Sequence, residues 1–306
     1  MVINRKDPSI SHDIFSNLTE YLRPGDLMVL NNTRVIPARL FGWKKNGSAN
    51  VEVLLLRSMD DLSLTWQALV KPGKRVKPGS SIYLMDGTEI EIGDSLGEGI
   101  RIVRFHEGCD VNSILYQIGQ VPLPPYIHNS GIEPSLYQTV FAQEEGSVAA
   151  PTASLHFTER LLEKIAEGGV LFSWITLHVG LGTFRPVKEA DIRRHVIHEE
   201  FCEVPADTAE AINRAKKDKR RVIAVGTTVV RTLESMKSDE AEFKPGKVNT
   251  SLFIYPGYEF KVIDSMITNF HLPKSTLLML VSAFAGRDLI FQAYDEAIAE
   301  RYRFFS

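Results

Sequence analysis

The sequence contains little cysteine, no excess of charge and no long apolar run. Cys109 and Cys202 are its only cysteines, and neither belongs to a CxxC pair, which argues against a disulfide framework or a cysteine zinc site. The net charge of −3 excludes a global basic field, so any nucleic-acid contact must come from local patches. The longest apolar run, at 277–284, is too short to span a bilayer. We therefore expect a soluble cytoplasmic protein that does not enter a membrane.

The first half of the chain is rich in short strands. At 306 residues, of which 44% are apolar, the chain is long enough for about two domains with sizeable cores. Between residues 26 and 106, Pro-Gly and Asp-Gly pairs separate short apolar stretches, which predicts a small β-barrel. The candidate strands are 26–31, 51–57, 64–70, 81–85 and 100–105.

From residue 159 onward, predicted helices alternate with predicted strands. This alternation indicates an α/β domain whose sheet is largely buried. The predicted helices are 159–167, 205–217, 275–285 and 288–301, and the predicted strands are 170–179, 221–225 and 262–270.

The stretch 144–158, EEGSVAAPTASLHFT, combines polar side chains with very little bulk. Its small residues contribute little to a core but let a ligand approach the backbone. Thr158 can cap the helix predicted over 159–167, so the stretch leads onto a helix N-terminus, where N–H groups favour negative charge. The pattern fits both a ligand platform and a surface loop before a capped helix.

Three further polar stretches follow predicted strands. HVGLGTFRP begins at His178, GTT begins at Gly226 with Arg231 one turn further on, and TNFH begins at Thr268. Thr227 or Thr228 is expected to cap the helix that follows Gly226. Because ligands settle beyond the carboxyl ends of strands in open α/β sheets, three such ends together predict a binding site.

The segment HVIHEE could supply metal ligands, because His195 and His198 are three residues apart and Glu199 follows. It matches neither HExxH nor HxxEH, and no third ligand follows at a suitable spacing. We interpret it as a solvated segment, and a metal-dependent nucleotide hydrolase remains the alternative function.

Basic residues cluster at two places. Lys71, Lys74, Arg75 and Lys77 lie within seven residues around a predicted turn, which favours a phosphate-backbone contact. The second cluster, 216–221, closes a predicted helix, where cations are already favoured by the helix dipole.

Several of these stretches, in their order along residues 23–306, closely resemble the S-adenosylmethionine:tRNA ribosyltransferase-isomerases of queuosine biosynthesis, the QueA family. The motifs are NTRVIPAR (32–39), PLPPY (122–126), YQTVFAQEEGSVAAPTASLHFT (137–158), HVGLGTFRPV (178–187), HEE (198–200), VGTT (225–228) and TNFHLPKSTLLML (268–280).

The resemblance implies a fold and a reaction. The fold is α/β (α+β by strict class), with a mixed-sheet main domain built from 1–37 and 109–306 and an inserted small β-barrel domain at 38–108. The reaction moves the ribosyl part of S-adenosylmethionine, the co-substrate, onto 7-aminomethyl-7-deazaguanine at the wobble position of a tRNA with a GUN anticodon. Isomerisation then gives epoxyqueuosine, with release of adenine and methionine. The resemblance also implies a monomer with no metal and no tightly bound cofactor.

Members of the family usually carry a leading segment with a basic Ser-Arg-Leu-type motif, and they continue past RFFS (303–306) with Phe-Gly-Asp-Ala and an apolar tail. We therefore expect the sequence to be a fragment or the ordered part of such a chain. A catalytically silent RNA-binding fragment is the second alternative function.

Placement beside glycines and hydroxyls suggests roles for individual residues. Acid and base work is assigned to His156 and His178, and Glu144 or Glu145 is expected to face the sulfonium. Arg34, Arg39 and the cluster Lys71, Lys74, Arg75 and Lys77 are expected to contact tRNA. The predicted substrate-binding residues are Ser147, Thr152, Ser154, Gly180, Gly182, Thr183, Arg185, Gly226, Thr227, Thr228, Asn269 and His271.

Overall fold

The computed structural model describes residues 1–45, 49–97, 99–124, 126–127, 133–180, 192, 197, 199–237 and 242–305. The chain divides into two compact units. The first, the sheet unit, comprises Met1–Thr33, Leu136–Glu144 and Ala150–Ser306, and the second, the barrel unit, comprises Arg34–Ser135 and Glu145–Ala149. The architecture confirms the predicted mixed-sheet α/β fold with a small barrel, whereas the domain bounds at 38 and 108 stay a prediction.

The sheet unit is built on a six-stranded mixed sheet. Four neighbouring strands at one side of it are parallel, and two strands that pair antiparallel extend the other side. In spatial order the strands are Gly246–Thr250, Glu200–Val204, Leu171–Leu177, Leu27–Asn31, Val222–Val225 and Ser265–Ile267.

The strand Leu27–Asn31 lies at the centre of this sheet. The expectation from the turn pattern that it belongs to the barrel is wrong, whereas the bounds implied by the resemblance assigned residues 1–37 to the main domain. All five of its residues are buried, because a parallel strand in the middle of a sheet is covered on both faces. A barrel strand instead alternates buried and exposed residues. The continuous burial of Leu27–Asn31 is therefore the pattern of a central parallel strand.

The barrel unit contains a closed barrel of six antiparallel strands. Four of the predicted strands belong to it, and the sequence patterns missed the other two, Arg39–Lys44 and Glu89–Gly97. Gly42 breaks the apolar side-chain pattern of the first of these strands. A Cβ at this position would lie 2.2 Å from the carbonyl oxygen of Tyr83. In order around the barrel the strands are Ile100–Phe105, Thr65–Lys71, Asn50–Ser58, Arg39–Lys44, Ser80–Leu84 and Glu89–Gly97.

Helices cover the sheet, and capping residues fix where several of them begin. The hydroxyl of Thr158 accepts a bond from the Leu161 N–H, and that of Ser275 accepts one from the Leu278 N–H, as the sequence predicted for Thr158. The α-helices are Val111–Ile118 in the barrel unit and Glu159–Glu167, Ala206–Lys217, Thr227–Met236, Thr276–Ala285 and Arg287–Ala299 in the sheet unit.

Short elements complete the described residues. The strand expected over 262–270 is reduced to Ser265–Ile267. The three 3₁₀ helices are Phe15–Tyr21, Pro134–Tyr137 and Thr152–His156, and the remaining strands pair as Val2–Asn4 with Ser9–Ser11 and Thr33–Val35 with Glu144–Ser147.

Within the described part of the chain, no single helix is long and apolar enough to cross a bilayer. Thr276–Ala285 and Arg287–Ala299, which are bent by 115° relative to each other, would pass together on length and composition alone.

The core of the sheet unit places the small-residue stretch against the sheet. Ala153 lies in the 3₁₀ helix Thr152–His156, and Phe157 directly follows it. Both are buried together with the sheet residues Met28, Leu30 and Val225. Phe15 packs edge-on against Phe157, with ring centroids 5.0 Å apart. The stretch is therefore anchored by two buried side chains and is more than a surface turn.

Candidate active site

The order of the parallel strands marks one edge of the sheet as a ligand-binding edge. Leu171–Leu177 lies on one side of Leu27–Asn31, whereas Val222–Val225 and Ser265–Ile267 lie on the other. The chain thus winds first to one side of its central strand and later to the other. In open α/β sheets, ligands bind beyond the carboxyl ends of the strands where the winding direction changes. Here that point lies beyond Asn31 and Val225.

A first polar cluster lies at the carboxyl end of the central strand. The side chain of Asn31 donates to the carbonyl oxygen of Leu177 at 3.0 Å and accepts from its N–H at 3.0 Å, which holds two strand ends together. Just beyond, Oγ1 of Thr33 lies 2.8 Å from Nδ1 of His178. The strand ends therefore place a hydroxyl against an imidazole.

Burial and hydrogen bonding define the state of His178. Burial lowers the pKa of His178 to about 4, so the ring is neutral at pH 7. The Thr33 hydroxyl donates to the carbonyl oxygen of Glu144 at 3.4 Å, which leaves its oxygen to accept from Nδ1–H of His178. With the Thr33 proton placed on this carbonyl, we assign the lone pair of the ring to Nε2. The ring also stacks on Phe201, at 5.7 Å and 21°.

A second polar cluster joins the small-residue stretch to the end of the last parallel strand. Oγ1 of Thr152 donates to Oδ1 of Asn269 at 2.8 Å, and Nδ2 of Asn269 lies 3.4 Å from Nε2 of His156. The amide orients the imidazole so that Nδ1 carries the proton. His156 is exposed, its ring lies 5.4 Å from that of Phe15, and partial burial lowers its pKa.

The start of the helix Thr227–Met236 lies beside this second cluster. The N–H of Gly226 donates to the carbonyl oxygen of Ile267 at 2.8 Å, and a Cβ on Gly226 would lie 4.0 Å from Cβ of Ala153. Gly226 itself is the N-cap, with φ of 93°, so the expectation that Thr227 or Thr228 caps the helix is wrong. Positive φ favours glycine there. Three stretches that are far apart in the sequence thus meet at one place.

A buried ion pair lies one turn into the same helix. The Nη1 group of Arg231 donates to Oε2 of Glu200, and both residues are at least 95% buried. Oε1 of Glu200 accepts from the N–H of Gly180 at 3.0 Å. The pair fixes the beginning of the glycine-containing stretch after His178. Nothing in the spacing of the sequence pointed to this pairing.

Glu234 lies three residues after Arg231, yet the two do not pair. Its carboxylate accepts from the N–H groups of Lys261, Val262 and Ile263 at 2.9, 2.9 and 3.2 Å. Tyr258 donates to it as well, at 3.3 Å. These bonds identify Glu234 as a structural carboxylate that fixes the chain before the last parallel strand.

Two other predicted substrate-binding residues of the sheet unit are buried. Burial lowers the pKa of His271 to about 4, and its Nε2 lies 3.0 Å from Oγ1 of Thr268. The Tyr294 hydroxyl accepts from the His271 N–H at 2.7 Å. The hydroxyl of Ser154, also buried, has no hydrogen-bond partner among the described residues.

The acidic end of the small-residue stretch is divided between the two units. Glu144 belongs to the sheet unit and is exposed. Glu145 and Ser147 belong to the barrel unit. There, Tyr116 donates to Glu145 at 2.5 Å, and burial together with this carboxylate raises the pKa of Tyr116 to about 12. Ser147 is buried and donates to the Ala149 carbonyl at 2.7 Å.

The basic cluster of the barrel unit is exposed. Lys71, Lys74, Arg75 and Lys77 all present their side chains to solvent around one turn. Arg101 donates to the carbonyl oxygen of Gly73 at 2.9 Å, and Lys44 donates to that of Arg75 at 3.3 Å, which adds two cations to the same turn. Of the other predicted contacts, Arg39 pairs with Glu52 at 3.4 Å, and Arg34 is half-buried.

Five predicted residues, Gly182, Thr183, Arg185, His195 and His198, lie outside the described residues. Glu199 is described and exposed. No group of three or more His, Cys, Asp or Glu side chains is placed to hold a metal ion within the described ranges.

Comparison with known protein families identifies the chain. The family model described as queuosine biosynthesis protein matches residues 1–306. The chain belongs to this family.

Relatives of this chain agree with the family assignment. Proteins of Natranaerobius thermophilus, Thermosipho africanus and Clostridioides difficile are 54%, 53% and 52% identical to it over 100% of this chain and 89% of each relative. All three are named S-adenosylmethionine:tRNA ribosyltransferase-isomerase. A crystal structure of the S-adenosylmethionine tRNA ribosyltransferase of Thermotoga maritima is 37% identical and covers 99% of this chain and 88% of that one, with a TM-score of 0.53.

Proposed function

We propose that this queuosine-family protein is an S-adenosylmethionine:tRNA ribosyltransferase-isomerase. It moves the ribosyl part of S-adenosylmethionine onto the aminomethyl group of 7-aminomethyl-7-deazaguanine, at the wobble position of a tRNA with a GUN anticodon. Isomerisation gives epoxyqueuosine, and adenine and methionine leave. The observation that carries the proposal is the family match over the whole chain, together with whole-chain relatives that bear this name. We further propose a cytoplasmic monomer without a tightly bound cofactor.

The carboxyl edge of the sheet suits the proton transfers of this reaction. The 5′-carbon beside the sulfonium must lose a proton, and the departing adenine must gain one. His178 is assigned as the base, because its ring is neutral and the Thr33 hydroxyl occupies Nδ1, which leaves the Nε2 lone pair. His156 is assigned as a proton donor, because Asn269 occupies Nε2 and leaves the proton on Nδ1. Glu144, with Glu145 as the alternative, is assigned to face the sulfonium.

The donor substrate is proposed to lie along the three stretches that meet near Gly226. Thr152 and Asn269 fix one another and can hold the ribose hydroxyls. Gly180 and Gly226 leave room for the nucleoside to approach the backbone. The remaining lining residues proposed are Ser154, Gly182, Thr183, Arg185, Thr227, Thr228 and His271.

One experiment tests the reaction directly. The protein is incubated with S-adenosylmethionine and an anticodon stem-loop that carries 7-aminomethyl-7-deazaguanine, and the RNA and small molecules are analysed by mass spectrometry. The expected result is RNA heavier by the ribosyl group, with one adenine released for each adduct. The proposal would be refuted if no adenine were released, if the RNA were methylated, or if the protein hydrolysed a nucleotide only when metal was added.

The basic cluster of the barrel unit is proposed to contact tRNA phosphates. Replacing Lys74 and Lys77 with alanine should weaken binding of the stem-loop and flatten the slope of log K against log salt by about 1.5, because each lost phosphate contact removes roughly 0.7–0.9. Fluorescence anisotropy at several salt concentrations measures the slope. Lys6→Ala with Lys164→Ala removes the same charge from exposed positions of the sheet unit and should leave the slope unchanged. Equal slopes for both double variants would exclude the cluster as an RNA contact.

A further inference from the structure

Two buried hydrogen-bond donors lie unused on the first turns of the helix Thr227–Met236. Thr228 is 8% exposed and Arg231 is 5% exposed, yet Oγ1 of Thr228 and Nη2 of Arg231 have no hydrogen-bond partner among the described residues. The two residues are three apart, so they share one face of the helix. Because buried polar groups nearly always have partners, two unused donors on one face indicate a ligand.

The other bonds of these residues fix where the unused donors lie. Arg231 donates from Nε to the carbonyl oxygen of Leu252 at 3.2 Å and from Nη1 to Glu200, so the guanidinium is held on two sides and only Nη2 remains. The Thr228 hydroxyl lies 3.5 Å from the position that a Cβ on Gly226 would occupy. It therefore faces the start of the helix, at the carboxyl edge of the sheet.

The start of this helix is itself short of acceptors. Its N-cap is Gly226, which has no side chain, and no side-chain cap bond is present among the described residues. The first-turn N–H groups of a helix have no acceptor within the helix, and together they favour an anion. A buried hydroxyl and a buried guanidinium nitrogen, both without partners among the described residues, thus lie on the first turns of a helix whose N-terminus favours negative charge.

The geometry points to the carboxylate of the methionine part of S-adenosylmethionine as the ligand of Thr228 and Arg231. This inference rests on the proposed function. Glu200 already neutralises the charge of Arg231, so a singly charged carboxylate suits the place better than a doubly charged phosphate. The depth of both donors favours a group at the end of a thin chain over the phosphodiester of a bulky RNA. S-adenosylmethionine carries one such group.

Binding measurements with two ligands test the inference. Isothermal titration calorimetry of the full chain compares S-adenosylmethionine with its decarboxylated analogue, which keeps the sulfonium and the nucleoside. The wild type should prefer the carboxylated ligand by about tenfold or more, since hydrogen bonds to a charged group are worth that factor. Thr228→Val keeps the volume and removes the hydroxyl, so it should lose most of the preference while binding the analogue as before. Arg231→Lys, which retains the charge beside Glu200, should have the same effect.

A matched variant and the alternative outcomes separate the possibilities. The Thr232 hydroxyl, one turn further along, already donates to the carbonyl oxygen of Thr228 at 3.0 Å, so Thr232→Val should keep the wild-type preference. Equal wild-type affinity for both ligands, or a preference retained in Thr228→Val and Arg231→Lys, overturns the carboxylate site and leaves the proposed function standing. Failure of the wild type to bind either ligand, with or without the modified stem-loop, overturns both.

Discussion

Replacement of His178 with asparagine is expected to lower turnover by about two orders of magnitude or more, the usual contribution of a general acid or base. Asparagine can place an amide near the position of Nδ1 and keep the bond to Thr33, but it has no atom where Nε2 lies. The variant therefore removes the proposed base and preserves the local packing. Single-turnover assays with the modified stem-loop, read by adenine release, measure the loss.

The pH profile distinguishes a base of this kind from an ordinary histidine. An imidazole whose pKa is lowered to about 4, from the ordinary value of 6.5, stays neutral as the pH falls through 6.5. The wild type should accordingly show no loss of kcat/KM caused by His178 near pH 6.5. Thr33→Val removes the oxygen that holds Nδ1 and should reduce turnover, whereas Thr33→Ser should restore it.

Two comparisons make the histidine assignment refutable. His106→Asn makes the same substitution at an exposed position of the barrel unit and should retain normal turnover. His156→Ala should lower turnover by a similar factor of about a hundred if both imidazoles transfer protons. Near-normal turnover in His178→Asn, with the variant folded, would remove His178 from the mechanism.

The local parts of the structure were readable from the sequence, because short-range chemistry determines them. A hydroxyl before a helix predicted the cap at Thr158, and short apolar stretches between turn residues predicted four of the barrel strands. The approach of a ligand to the small residues around Ala153 stays a prediction, and the structure places Ala153 beside Gly226. Each of these inferences depends on a few neighbouring residues.

The pairings that define the candidate site were not readable, because they join distant parts of the chain. Thr33 and His178 are 145 positions apart, and the residues around either one do not indicate the other as its partner. The misassigned strand Leu27–Asn31 has the same cause. A short apolar run looks alike in a barrel and in a central parallel strand, and only its pairing partners decide which it is.

Arg231 shows how sequence spacing can mislead. Glu234 is three residues away on the same helix, a spacing at which oppositely charged side chains often pair. Arg231 instead pairs with Glu200 on a neighbouring strand, while Glu234 accepts three backbone N–H groups. Both carboxylates and the guanidinium are buried, and a buried charge is costly unless it is paired or hydrogen-bonded. The partners available in the folded interior therefore determine the pairing, and the spacing along the helix does not.

The buried pair leads to the largest expected change in stability. Glu200→Gln removes one charge and leaves the guanidinium of Arg231 buried and uncompensated, which should lower the free energy of unfolding by about 3–5 kcal/mol. Urea unfolding measures the change. In a background with Trp43→Phe and Trp66→Phe, the fluorescence of Trp174 reports on the sheet unit alone, because the other two tryptophans belong to the barrel unit.

An exposed ion pair provides the matched control for this substitution. Glu210 and Arg214 are bonded at 2.7 Å, but their side chains are 71% and 65% exposed, so Glu210→Gln should cost about 0.5 kcal/mol or less. The double variant Glu200→Gln with Arg231→Met removes the buried charge as well and should recover part of the stability lost by the single variant. If Glu200→Gln and Glu210→Gln lowered stability equally, the pair would contribute no more than a surface contact. The guanidinium of Arg231 would then be held mainly by its bond to the carbonyl oxygen of Leu252.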